Sequence, residues 1–132
     1  MGLRFKTSTK YLDKNDGMVY LLEIHLEDKV LVKIGITSRD KIEDRVAEIS
    51  VGIFKSYRFF PYIRPKRFKK TTEIALKESM LHTYFKDRRY TTQHQFGGHM
   101  ELFDIPLDEA VEMYERVLNG EDINASKQEL DT

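Results

Sequence analysis

A chain of 132 residues without cysteine has room for one modest core, and it excludes both a disulfide framework and a Cys-based zinc site. No long apolar run marks a signal peptide or a membrane span, so a soluble, cytoplasmic domain with no membrane partner is expected. The formal net charge is zero, but it is segregated: residues 1–52 carry 9 basic and 9 acidic side chains, residues 53–92 carry 11 and 3, and residues 93–132 carry 2 and 10. Such a basic middle is either a solvated surface that keeps the protein soluble or a face that meets phosphates.

Residues 1–16 are polar, bear Arg4, Lys6, Lys10 and Lys14, and show no sustained periodicity, which predicts a flexible basic arm. Residues 18–24 (MVYLLEI) and 30–36 (VLVKIGI) are rich in β-branched and aliphatic side chains, and the polar run 25–29 between them has the length of a hairpin loop. Gly35 lies inside the second apolar run, where it forfeits packing, so close approach of another backbone or of a ligand is expected there. Thr37, Ser38, Arg39 and Asp40 offer N-cap chemistry for a helix over 41–50, with Ile42, Val46 and Ile49 on its buried stripe. Arg45 flanks that stripe and can look back towards the strands.

Residues 57–63, aromatic and at first alternating, predict a third strand, with Pro61 favouring a sheet edge or the strand's end. The expected fold class is therefore α+β, a three-stranded antiparallel sheet flanked by helices. Residues 64–70 read as a basic loop in which Arg64, Lys66, Arg67, Lys69 and Lys70 surround Pro65 and Phe68. That loop either contacts phosphates or is simply solvated. Thr71 and Thr72 can cap a second helix over 73–86, which sets Ile74, Leu81 and Phe85 on one face and Leu76, Met80 and Tyr84 on another. Glu78 and His82 stand four apart on one side of it, an ordinary polar pair unless they belong to a site.

A polar loop over 86–99 with a Gly97-Gly98 turn leads to Met100-Glu101-Leu102-Phe103, whose carboxylate is either a site residue or the exposed face of a strand. A third helix over 106–118 has Leu107, Val111, Tyr114 and Leu118 at core spacing and Asn119-Gly120 as its stop. The compact domain is expected over 17–119, and residues 120–132 are expected to form a disordered acidic tail.

Read in order, Met18-Val19-Tyr20, Lys33-Ile34-Gly35, Arg45, Glu78 with His82, and Glu101-Leu102-Phe103 resemble the GIY-YIG nuclease superfamily over about residues 17–118. In that superfamily a first-strand tyrosine, a second-strand Tyr-Ile-Gly and an arginine on the next helix share one catalytic surface. The first triplet keeps its tyrosine, and lysine replaces the second tyrosine, as in a small branch common in phages. The resemblance implies a metal-dependent endonuclease that hydrolyses DNA phosphodiester bonds, of phage or mobile-element character, with duplex DNA as partner.

It also implies roles for individual residues. Glu78 would hold Mg²⁺ or Mn²⁺, and a lone carboxylate suits a cation that keeps most of its waters. Arg45 would clamp the phosphate, with Tyr20 as general base or water-orienting group. Lys33 would lower the pKa of Tyr20 or hold the phosphate, and His82 would pass a proton or orient the water. Gly35 and Glu101 are possible additional site residues, and the basic segment 64–70 would bind nucleic acid. Two rival readings stand beside this one: a catalytically inactive nucleic-acid-binding module of the same fold, and a protein-interaction domain whose basic segment meets an acidic partner.

Overall fold

The structure is a computed structural model that describes residues 16–125; the basic arm and the end of the acidic tail lie outside the described residues. Strand β1 (Gly17–Leu26) and strand β2 (Lys29–Thr37) form the expected hairpin, Met18 pairing with Thr37 and Leu26 with Lys29. The strands reach further than the polar run suggested. Only Glu27 and Asp28 make the turn, with φ of 55° and 61°, the left-handed pair that suits a tight hairpin to the twist of its strands.

Helix α1 spans Ile42–Tyr57, well past the expected end at residue 50, because Ile53 continues the buried stripe of Ile42 and Ile49, while Gly52 has open space around it. Of the expected strand over 57–63, Tyr57 instead ends α1, Arg58 is its left-handed C-cap, residues 59–61 are irregular, and Tyr62 and Ile63 are strand. Strand β3 begins only at Tyr62 and runs to Thr71, so the basic residues 64–70 are strand and not loop. It lies at the sheet edge, where β1 is its one neighbour and no buried apolar face is required. Its pairing slips between Leu21–Arg67 and Leu22–Pro65, leaving Lys66 as a bulge residue beside Pro65, a place where a proline costs no ladder hydrogen bond.

Helix α2 (Ile74–Tyr84) follows, with a left-handed Glu73 as N-cap and no side-chain cap, so the threonines do not take the capping role expected of them. Thr37 likewise does not cap α1: its Oγ1 accepts the Arg39 N–H at 3.1 Å and forms a local turn. A short strand β4 (Leu102–Phe103) pairs with Val32 and Lys33 of β2 and makes the sheet four-stranded, in the order β3-β1-β2-β4. Helix α3 (Leu107–Leu118) closes the domain with Ala110, Met113, Tyr114 and Val117 buried, so only Tyr114 of the four expected core positions is fully buried. Within the expected disordered tail two residues pack: Ile123 is buried in the core, and Asn124 Nδ2 donates to the Met80 carbonyl at 3.0 Å.

The sheet separates two cores. On one face Val19, Leu21, Val32 and Ile34 meet Ile74 and Leu81 of α2, its C-cap Phe85 and the buried residues of α3. On the other, Met18, Tyr20, Leu22, Ile24 and Leu31 meet Ile42, Ile49 and Ile53 of α1 together with Phe96 and Leu102. Covered on both faces, β1 reads as a nearly continuous apolar run. The Tyr114 hydroxyl ties α3 to two strands, donating to the Val19 carbonyl at 2.7 Å and accepting the Lys69 N–H at 2.9 Å.

Candidate functional site

Tyr20 and Gly35 are direct cross-strand partners, as are Leu22 and Lys33, so the tyrosine, the glycine and the lysine share the face covered by α1. Gly35 is explained by a side chain and not by a ligand or a backbone. A Cβ there would lie 2.5 Å from Cζ of Tyr20, whose ring crosses the glycine. Gly35→Ala should therefore push the ring off its seat and destabilise the fold by about 1–3 kcal/mol, the usual cost of overpacking. Thermal melting checks this, and an unchanged melting temperature would mean that the ring has room to move.

Arg45 reaches back from α1 as expected. Its Nε donates to the Tyr20 hydroxyl at 3.2 Å, and its Nη1 lies 3.3 Å from Glu48 Oε1. Burial pushes the Tyr20 phenol up to about 12 against the opposing pull of Arg45, so at neutral pH it is a neutral hydroxyl. Lys33 does not lower it, because the ammonium is turned elsewhere. Lys33 is fully buried, and a buried ammonium needs partners. It finds them in Glu101 Oε1 at 2.5 Å and the Gly98 carbonyl at 3.3 Å. Burial still holds its pKa below the ordinary lysine value, with Glu101 pulling the other way.

The second glycine of the Gly97-Gly98 turn is thereby accounted for, whereas Gly97 has open space around it. Gly98 has φ 83°, and a Cβ on it would lie 2.6 Å from Lys33 Nζ. The loop carrying Gly98 and Glu101 is anchored at the hairpin tip, where Glu27 accepts from the Tyr57 and Tyr90 hydroxyls and, at 2.7 Å, from the Gln93 N–H. Sequence reasoning missed Glu27; its one local signal is an acidic residue at a turn position that favours Asn or Gly.

Glu78 projects from α2 with its side chain 16% exposed. Among the described residues the one basic group within 4 Å of it is His82, with Nε2 at 3.9 Å. Burial, reinforced by the negative charge of Glu101, pushes its pKa up to about 7, while Lys33 and Arg45 pull it down. His82 Nε2 lies 2.8 Å from the Ile34 carbonyl, one residue beyond the last β2–β4 pair. A carbonyl only accepts, so Nε2 carries the proton, and burial lowers the pKa so that the ring is neutral near pH 7. The nitrogen nearest Glu78 is thus occupied by the sheet edge.

The electrostatic reach of these groups defines one site. Tyr20 is influenced by Arg45, Glu101 and Glu78, and Lys33 by Glu101, Arg45 and Glu78. The five basic residues of β3 do not form a single patch beside it. From the pairing, Lys70 and Phe68 lie on the Tyr20 face, whereas Arg64, Arg67 and Lys69 lie on the other. Arg67 donates to Glu115 at 2.8 Å, Lys66 lies 3.5 Å from Glu23, and Lys70 lies 3.6 Å from Asp40. No described helix is long and apolar enough to cross a membrane.

No curated protein and no solved structure matches the chain. Residues 17–118, which run from the first residue of β1 to the last of α3 and include the whole of this site, match the T5orf172 domain. The chain belongs to the T5orf172 domain family, a phage-associated group of nuclease-like domains.

Proposed function

We propose that the protein is a metal-dependent endonuclease of GIY-YIG type that hydrolyses phosphodiester bonds in duplex DNA. The observation that carries this reading is that Tyr20 with its hydrogen bond from Arg45, the Lys33–Glu101 pair and the largely buried Glu78 carboxylate come from separate elements and lie within electrostatic reach of one another. A divalent cation fits the donors present. Glu78 is a largely buried carboxylate whose ionisation is disfavoured by its surroundings, so a bound Mg²⁺ or Mn²⁺ would relieve it. Among the described residues no cluster of three or more His, Asp or Glu side chains could hold a metal, so one protein carboxylate would leave the other positions to water and phosphate oxygens.

When bound, the metal would supply Lewis-acid polarisation of the phosphoryl group and a water acidic enough to attack it. The chain's own residues divide the remaining work. Glu78 must lose its proton to act as a ligand. Arg45, fixed by Tyr20, offers its guanidinium to the phosphate as charge builds. Tyr20, a neutral hydroxyl, orients by hydrogen bonding and is not a base in the resting protein. Lys33 holds Glu101 in place, and His82 fixes α2 against the open edge of β2, which makes both positioning residues.

Supercoiled plasmid should be nicked in Mg²⁺ and spared in EDTA. Charge reversal at Lys66, Arg67, Lys69 and Lys70 should weaken binding to many duplex sequences alike, since phosphate contacts position without specifying. It should also flatten the dependence of log affinity on log salt by roughly 0.9 for each phosphate that is no longer neutralised. An unchanged slope would make β3 a solvated edge and nothing more.

A further inference from the structure

Beside the Tyr20 site lies a cleft of about 340 Å³, bounded by Thr37 and Ser38 at the end of β2, by Arg39, by Arg45 and Glu48 of α1, and by Ala75 of α2. Neither Arg39 nor Glu48 takes part in the proposed cleavage chemistry. The Thr37 hydroxyl accepts the Arg39 N–H at 3.1 Å and fixes the backbone from which that side chain extends. Arg39 Nη2 then donates to Glu48 Oε2, and Arg45 Nη1 lies 3.3 Å from Glu48 Oε1. One carboxylate thus sits between two guanidiniums at the mouth of a cleft, and the inner edge of one of those guanidiniums already holds Tyr20.

A carboxylate and a phosphodiester present the same pair of oxygens to a guanidinium fork. We propose that this cleft seats a backbone phosphodiester adjoining the one that is cut, gripped by Arg39 with the outer edge of Arg45, and that Glu48 occupies its place in the free protein. The site rests on the nuclease reading only in taking a nucleic-acid strand as its ligand. Glu48 is exposed on α1 and can swing into water when the strand arrives. Arg45 then spans two phosphates, while Arg39 serves the second alone and sets the register of the strand on the enzyme. In the free protein Glu48 keeps both guanidiniums aligned, and it competes with any weakly held anion.

Anisotropy of a labelled duplex in EDTA tests this without catalysis. Glu48→Gln should tighten binding by roughly two- to fivefold, the range set by the strength of exposed ion pairs. Arg39→Ala should weaken binding and flatten the salt slope by about 0.9, the share of one phosphate. The gain from Glu48→Gln should shrink in the Arg39→Ala background. Glu43→Gln, which removes the same charge from the same helix away from the cleft, should give no such gain. Equal tightening by Glu43→Gln, or an undiminished Glu48→Gln gain without Arg39, would overturn the site. Plasmid left uncut while this binding pattern holds would defeat the nuclease reading and leave the site standing; cutting without the pattern would do the reverse.

Discussion

Replacing Glu78 with glutamine should end Mg²⁺-dependent cleavage and, in the same protein, raise the melting temperature at pH 8. The two effects share a cause. The folded protein holds the Glu78 pKa at about 7 against an ordinary value of 4.5, first by burial and then by the charge of Glu101. Between those values the folded state keeps a proton that the unfolded chain releases, so raising the pH through this window costs stability, and the loss is complete above about pH 7. Glutamine keeps the shape and removes the loss. Melting in EDTA should therefore give nearly equal values for the two proteins below pH 4.5 and a gap that opens towards pH 7, where each 1 kcal/mol is worth roughly 4 °C in a domain of this size. Parallel melting profiles across this range would mean that Glu78 ionises as freely as a solvated carboxylate, and undiminished cleavage would remove it from the site.

Arg45→Ala should cut DNA slower by roughly two or more orders of magnitude, the scale seen when a preorganised charge-stabilising group is removed, with a far smaller change in affinity. Arg45 is one of many cations on the domain, yet among the described residues it alone donates a hydrogen bond to the Tyr20 hydroxyl. The variant should fold, since Arg45 lies on the partly exposed flank of α1 and not among the core residues of its stripe. Arg45→Lys should rescue only part of the rate, because an ammonium restores the charge without the fork that bridges two oxygens. Single-turnover cleavage and equilibrium binding measured on both variants decide this. Equal losses in rate and affinity would make Arg45 an ordinary phosphate contact.

The hairpin was legible because both strands are runs of β-branched and aliphatic residues, though its register was not, since the tight turn at Glu27 and Asp28 and not a loop over 25–29 sets Tyr20 opposite Gly35; the spacing of Ile74, Leu81 and Phe85 was legible as helical. Glu78 and Arg45 fall on the expected elements for the same reason. What escaped the sequence was settled by tertiary contacts. An edge strand with one neighbour can be built almost wholly of charged residues, so β3 looked like a loop. A two-residue strand such as β4 has no periodicity to read. The burial of Lys33 depends on Glu101, 68 positions away, and lysine by itself predicts solvent. Gly35 carried a true signal of close approach, but the approaching group was the ring of its cross-strand partner.

The direction of the Tyr20 shift bears on the chemistry. In the metal-free protein a phenol held near pKa 12 and bonded to Arg45 holds and orients, and in the proposed mechanism the proton of the attacking water passes to solvent. This assignment makes Tyr20→Phe a milder lesion than Glu78→Gln, which removes the one protein ligand assigned to the metal.

The central claim is that bound DNA is hydrolysed at the site shared by Glu78 and Arg45. Its most direct test is single-turnover cleavage of a labelled duplex at saturating protein, run side by side for the wild type in Mg²⁺, the wild type in EDTA, Glu78→Gln and Arg45→Ala. The account predicts that, on the timescale of the wild-type reaction, product forms only from the wild type in Mg²⁺, while the DNA stays bound in all four. Bound but uncut DNA in the wild-type Mg²⁺ reaction, or cutting by Glu78→Gln at the wild-type rate, would contradict it.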